Sequence, residues 1–235
     1  MAFYRAIHHQ KRFIALFSPK CACSSIKNWL NNIEQTSLQE ENDNTPIEYL
    51  TELQYRSFIY GKDFQDYTKI IFVRDPLHRL VSYYNLFVVH FQRSPVDWHH
   101  VDNKKQFDIK EKTFEEFLQL LLLVHRDPDI ELQHHLESQT MDTENLTFDF
   151  IIKVDKLSAG FRILNEELDL SLPATPRVNA SPYNLNLTED AFNKTPGELR
   201  MGGTPYYSYF YDDRLRKIAE EVYAEDFKLY QESNF

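Results

Sequence analysis

Residues 13–17 read Phe-Ile-Ala-Leu-Phe, and Ser18-Pro19 stops the run at once. So short an apolar stretch, with no polar residue on either face, predicts a strand buried on both sides. Lys69-Ile-Ile-Phe-Val73 repeats the pattern and ends at Asp75-Pro76, and residues 148–154 supply a third strand candidate. Helical patterns follow each run. Ile26, Trp29, Leu30 and Ile33 share one face of a helix that Ser24 or Ser25 can cap. Residues 46–58 look helical, residues 77–91 form a helix with proline in its first turn, and further helices fall around 157–168 and 212–230. Thr113 and Glu116 form a capping box ahead of Phe114, Phe117, Leu118, Leu121 and Leu122, and the stripe 120–124 is assigned to the core. Strands alternating with helices predict an α/β fold with a mainly parallel sheet covered on both faces. At 235 residues, a single domain spanning 1–235 is expected.

Glycine narrows the chemistry. The chain has 5 glycines in 235 residues, none before Gly61. A dinucleotide fingerprint or a Walker A loop near the N-terminus is therefore excluded, because both need glycine where backbone approaches phosphate. Residues 197–204 have the Walker spacing but Gly203 in place of its lysine, and they are assigned to a loop. The net charge of −10 argues against nucleic acid or an anionic membrane as partner. Charge is uneven, however: residues 1–27 hold Arg5, Lys11, Arg12, Lys20 and Lys27 and no acid. Such a start suggests a focused anion site, the plainer reading being a chance cluster on a solvated face. No apolar run reaches the ~18–20 residues of a membrane span, so no integral membrane segment is expected. Cys21 and Cys23 stand too close for an unstrained disulfide, and no secretory apolar region follows Met1. Both point to a cytoplasmic setting; four glycosylation triplets, at Asn145, Asn179, Asn186 and Asn193, argue the other way.

Two segments can carry chemistry. In Ser18-Pro-Lys-Cys-Ala-Cys-Ser-Ser-Ile-Lys27, a strand end, a lysine, small residues and a helix start can together make an anion cradle. Backbone N–H groups and the helix dipole favour a phosphate there; Lys20 adds charge and Ser24 and Ser25 add donors. In the second segment Arg74 leaves a strand at its C-terminal end, where α/β sheets bind ligands, and Ser82 follows eight residues on in the helix, so both could grip one phosphate. The alternatives are an ordinary capped helix in the first and an ion-pair network of Arg74, Asp75 and Arg79 in the second.

Taken together, Pro-Lys-Cys-Ala-Cys-Ser-Ser-Ile-Lys and Val-Arg-Asp-Pro-Leu-His-Arg-Leu-Val-Ser-Tyr-Tyr resemble the 5′-phosphosulfate loop and the 3′-phosphate motif of sulfotransferases that use 3′-phosphoadenosine 5′-phosphosulfate, PAPS. The closer similarity is to the carbohydrate branch, with the chondroitin 4-O, HNK-1 and heparan 2-O enzymes. The resemblance implies a P-loop-NTPase-like, mainly parallel central sheet flanked by helices. It implies PAPS as donor, its bisphosphate product PAP, no metal, and a saccharide or other hydroxyl acceptor. Lys20, Cys21, Ala22, Cys23, Ser24 and Ser25 would hold the 5′-phosphosulfate, with Lys20 also neutralising the leaving phosphate, and Arg74 and Ser82 would hold the 3′-phosphate. Gln133-His-His-Leu-Glu-Ser-Gln139 is similar to the family's His-Trp-x-Pro-Gln segment, with Leu136 and Ser138 in place of Trp and Pro. That similarity makes His135 the first candidate base, followed by His134 and His90. Arg177-Val-Asn-Ala-Ser181 is similar to an Asn-x-Ser loop near the cofactor, which adds Arg177, Asn179 and Ser181. A nucleotide kinase or NTPase, a non-catalytic nucleotide- or glycan-binding module, and a Golgi-lumenal catalytic domain without its anchor remain as alternatives. Oligomeric state is left open.

Overall fold

A computed structural model describes residues 3–39, 47–92, 111–127, 135–140, 143, 146–172 and 183–233. In chain order the elements are β1 (Tyr4–His8), β2 (Phe13–Phe17), α1 (Cys23–Gln39), β3 (Glu48–Tyr49), α2 (Glu52–Ile59), β4 (Thr68–Val73), α3 (Pro76–Tyr83), α4 (Phe114–Arg126), β5 (Phe150–Lys153), α5 (Leu157–Glu167), α6 (Pro196–Gly202), α7 (Asp213–Val222) and α8 (Ala224–Gln231). They divide between two compact units. Residues 1–74, 139–180 and 229–235 form one, and residues 75–138 and 181–228 the other.

The first unit holds a five-stranded sheet in the order β3-β1-β2-β4-β5. β2, β4 and β5 pair in parallel, with Phe17 opposite Phe72 and Val73 opposite Lys153. β1 runs antiparallel to both β2 and β3. The sheet is thus mixed, with every strand but β1 running one way. Its side chains alternate as a pleated strand requires. Phe13, Ala15, Phe17, Ile70, Phe72 and Ile152 pack with Trp29 and Ile26 of α1 and Phe161 and Leu164 of α5. Ile14, Leu16, Ile71 and Val73 pack on the other face with Tyr55 of α2, Phe64, Tyr67 and Leu229. Both faces are covered, which is why the runs at 13–17 and 70–73 need no polar residue. Trp29 stacks on Phe161 at 5.3 Å and donates its indole N–H to Asn165 Oδ1 at 2.8 Å, so its one polar atom is satisfied inside the core.

Among the described residues the second unit is helical. α3 continues into a π-helical segment, Tyr84–His90, instead of the regular helix expected over 77–91. Tyr83 stacks on Phe87 at 4.7 Å, and Tyr84 meets Phe114 of α4 edge-on at 5.2 Å. Burial holds the Tyr84 phenol well above its ordinary pKa, with Glu116 adding to the shift, while its hydroxyl donates to the Lys112 carbonyl at 2.8 Å.

Other expectations change with tertiary context. Residues 46–58 are not one helix: the chain first pairs Glu48 and Tyr49 with the free edge of β1, and α2 begins after a Thr51–Gln54 capping box. Residues 197–204 are a loop only at Gly203 and Thr204; residues 197–202 are helical, because Thr195 and Glu198 cap α6 reciprocally and Pro196 opens it. The closing helix breaks at Tyr223, whose φ of −122° and ψ of 34° leave the helical region and whose hydroxyl reaches the Leu136 carbonyl at 2.7 Å. The capping box at Thr113 and Glu116 forms as read from the sequence, and the stripe 120–124 is buried except Leu122, half-buried, and Leu123, exposed.

Gly160 brings α5 close against β5, since a Cβ there would sit 2.3 Å from Cγ2 of Ile152. Gly160→Ala is expected to cost about 1–3 kcal/mol through overpacking, read as a lower urea midpoint at unchanged slope. A midpoint equal to that of the parent would show that Ile152 can move aside.

Candidate active site

β2 and β4 are parallel neighbours, so their C-terminal ends lie at one edge of the sheet. Ser18, Pro19 and Lys20 leave the first, and Arg74 leaves the second. The Arg74 guanidinium joins them, Nη1 donating to the Lys20 carbonyl at 2.8 Å. Lys20 takes φ of +69° and Ala22 φ of +57°, the left-handed region that glycine occupies without cost. Each non-glycine residue there is strained by roughly 1–3 kcal/mol. Between them the Cys21 amide closes a turn onto the Ser18 carbonyl at 3.2 Å. α1 opens directly behind, with the Ala22 carbonyl accepting from Ser25 N at 2.9 Å and Ile26 N at 3.1 Å. The helix therefore begins at Cys23, and Ser24 and Ser25 lie inside its first turn instead of capping it. Ser24 is exposed and Ser25 fully buried, so of the two only the Ser24 side chain faces solvent.

The two cysteines take different positions. Cys21 is buried and its thiol donates to Gln139 Oε1 at 2.8 Å. Cys23 donates to the Ser18 carbonyl at 3.3 Å. Burial, aided by the neighbouring Cys21, pushes the Cys23 thiol from 9.0 up to about 11. Among the described residues, no three of His, Cys, Asp or Glu gather as a metal site would require.

Gln139, 1% exposed, was read from the sequence only as part of a motif, without a role. Its Oε1 accepts from the Arg74 backbone N–H at 2.8 Å and its Nε2 donates to the Arg74 carbonyl at 3.0 Å. β4 ends at Val73, so Arg74 has moved beyond the sheet ladder, and this side chain supplies the partners its buried backbone needs. Nothing in hydrophobic period or local motif marks such a contact, which spans 65 residues of chain.

In the second unit, Asp75 caps α3, its Oδ1 accepting from Leu77 N at 2.8 Å and His78 N at 3.2 Å. It forms no ion pair with Arg79, contrary to the network reading. Arg79 instead lies 3.7 Å from Asp226, both essentially without exposure, and donates to the His135 and Glu137 carbonyls at 3.2 and 2.7 Å. Ser138 also donates its hydroxyl to Asp226. Residues 135–138 are thereby held against α3 and α8, and the His135 ring packs on Phe87 at 4.6 Å. Asp226 was missed, because neither spacing nor motif singles it out in an acid-rich helix. Ser82 is 7% exposed on α3, and His90 is exposed at the end of the π-helical segment. His134, Arg177, Asn179 and Ser181 lie outside the described residues.

Residues 6–231 match the model of a family described as "Sulfotransferase family". No curated protein and no solved structure matches the chain. Among the described residues, no helix is long and apolar enough to cross a membrane.

The Cys23 thiol yields a test of this geometry. Because folding favours the protonated form, the associated stability is whole below pH 9.0 and is lost as pH rises from there through about 11. At pH 8, alkylation at Cys23, followed by mass spectrometry, is expected to run about 100-fold slower than for an unperturbed thiol. Labelling at the ordinary rate would contradict the burial described.

Proposed function

This chain belongs to the sulfotransferase family, and we propose that it moves a sulfuryl group from PAPS to an acceptor hydroxyl, best supplied by a carbohydrate. The observation that carries this reading is the joining of Lys20 and Arg74 across the ends of β2 and β4. The Arg74 guanidinium and the strained backbone of Lys20 thus meet beside the N-terminus of α1, at the C-terminal ends of parallel strands where an anionic nucleotide is expected. The residues fit such a donor: Arg74 is mostly buried with its backbone committed to Gln139, and Lys20 is half-buried at the loop's turn.

When bound, the donor supplies an activated sulfuryl group attached through a phosphate oxygen. Lys20 neutralises charge growing on that bridging oxygen, while the amides opening α1, together with the exposed Ser24, hold the 5′ end, and the buried Ser25 is assigned there on its motif alone. Arg74 takes the 3′-phosphate, and Ser82 is assigned to the same phosphate on its motif alone. Sulfuryl transfer depends on in-line positioning and charge stabilisation, which fixed groups of this kind supply. With Lys20 and Arg74 furnishing the positive charge, the reading calls for no metal ion. His135 is the proposed base for the acceptor hydroxyl, its loop held by Arg79, with His134 as the second candidate. Arg177, Asn179 and Ser181 are proposed as further donor contacts.

The family match runs through both compact units, which supports one catalytic domain over the chain. Two free cysteines favour a cytoplasmic setting over the Golgi lumen.

Transfer of labelled sulfate from PAPS to a panel of glycans and simple alcohols tests the activity. Lys20→Ala is expected to lose about 10²–10³-fold in kcat with a modest loss of nucleotide affinity, the magnitude seen when one charge-stabilising group is removed. Full turnover by that variant would sink the mechanism. In calorimetry PAP should bind more tightly than ATP with Mg²⁺, and the reverse order would favour a nucleotide kinase.

A further inference from the structure

We infer that Gln139 is a positioning residue that sets the separation between Arg74 and the Lys20–Ala22 loop, and so matches the two to the two ends of a bisphosphorylated nucleotide. The inference rests on the PAPS reading above and adds to it a residue that touches neither phosphate.

The argument is one of closure. From Lys20 the chain passes to Cys21, whose thiol donates to Gln139 Oε1 at 2.8 Å. The same oxygen accepts the Arg74 amide at 2.8 Å, and the Arg74 side chain returns to the Lys20 carbonyl at 2.8 Å. Four residues thus form a closed ring of hydrogen bonds. Within it neither the loop nor the strand end can shift without breaking a bond. The backbone also fixes how the amide is oriented, since the Arg74 N–H can only donate and its carbonyl, 3.0 Å from Nε2, can only accept.

Side-chain type follows from the same constraint. Arg74 needs an acceptor and a donor from one group, and Cys21 needs an acceptor. Glutamate would set a carboxylate oxygen against the Arg74 carbonyl and add negative charge where phosphate must approach. Asparagine is a methylene short. A neutral amide on a two-carbon arm meets all three needs.

Two phosphates on one nucleotide bind as a linked pair, and their joint affinity depends on the spacing of the two subsites matching that of the ligand. Calorimetry on the full chain therefore compares adenosine 3′,5′-bisphosphate with adenosine 5′-monophosphate. In the parent the bisphosphate should bind at least tenfold more tightly. Gln139→Leu, similar in volume and without polar atoms, should cut that preference about tenfold while monophosphate affinity stays within about threefold. Those magnitudes correspond to losing one or two hydrogen bonds. Cys21→Ala removes one contact of the ring and should cut the preference about threefold, with Cys21→Ser restoring it. Should Gln139→Leu fail to fold, the cysteine variants decide alone. An unchanged preference in the variants that fold, or an equal loss of affinity for both ligands, overturns the assignment. A parent with no preference for the bisphosphate overturns the PAPS reading itself.

Discussion

Arg74 leaves the sheet at the point where its backbone loses its ladder partners, and the Gln139 side chain supplies both of them. The arrangement of the candidate site depends on that contact. A buried amide without a partner would cost about 1–3 kcal/mol, and the strand end could turn to seek one elsewhere. With the backbone held, the guanidinium is free to reach the Lys20 carbonyl, and the loop after β2 is tied to the strand beside it. Gln139 thus acts as a short stretch of extra strand made from a side chain.

The loop so held is strained. Lys20 and Ala22 occupy backbone space that most phosphate-binding loops fill with glycine. Backbone strain of this kind persists only where the surroundings over-determine it. Here they include the Cys21 thiol, the Cys23 thiol on the Ser18 carbonyl, and the first turn of α1 closing on Ala22. In the proposed reaction the strained turn serves Lys20, since a rigid backbone beneath a long side chain limits where its charge can go. Scarcity of glycine is therefore offset by hydrogen bonds from small polar residues, and the loop gains rigidity that glycines would not provide.

A second constraint operates within the helical unit. Arg79 and Asp226 are buried as an ion pair, and removing either partner of such a pair typically costs about 3–5 kcal/mol. Arg79 Nη2 and Asp226 Oδ1 are turned to the backbone and hydroxyl of residues 135–138. The loop that carries His135 is thereby fixed by charges rather than by its own secondary structure.

Much of this protein was legible in residue order. Phe13–Phe17 and Ile70–Val73 read as buried strands because they carry no polar side chain, and α1, α4 and α5 follow from their apolar period, with the capping box marking the start of α4. The proposed donor-binding residues Lys20, Arg74 and Ser82 stand out in the sequence because strand ends and helix starts favour anions whatever the rest of the fold does. Less was legible where an element's state depends on a distant partner. Glu48 and Tyr49 became a strand only because β1 offered a free edge, Tyr223 broke a helix to reach a carbonyl, and Asp75 capped a helix instead of pairing with Arg79. Gln139 and Asp226 belong to the same class. Local sequence determined most of the strands and helices and where an anion site is to be sought, since these depend on neighbours within a turn or two. Only the tertiary structure decided which polar side chains complete that site, because buried hydrogen bonds are satisfied across space, by residues whose separation along the chain has no bearing on the match.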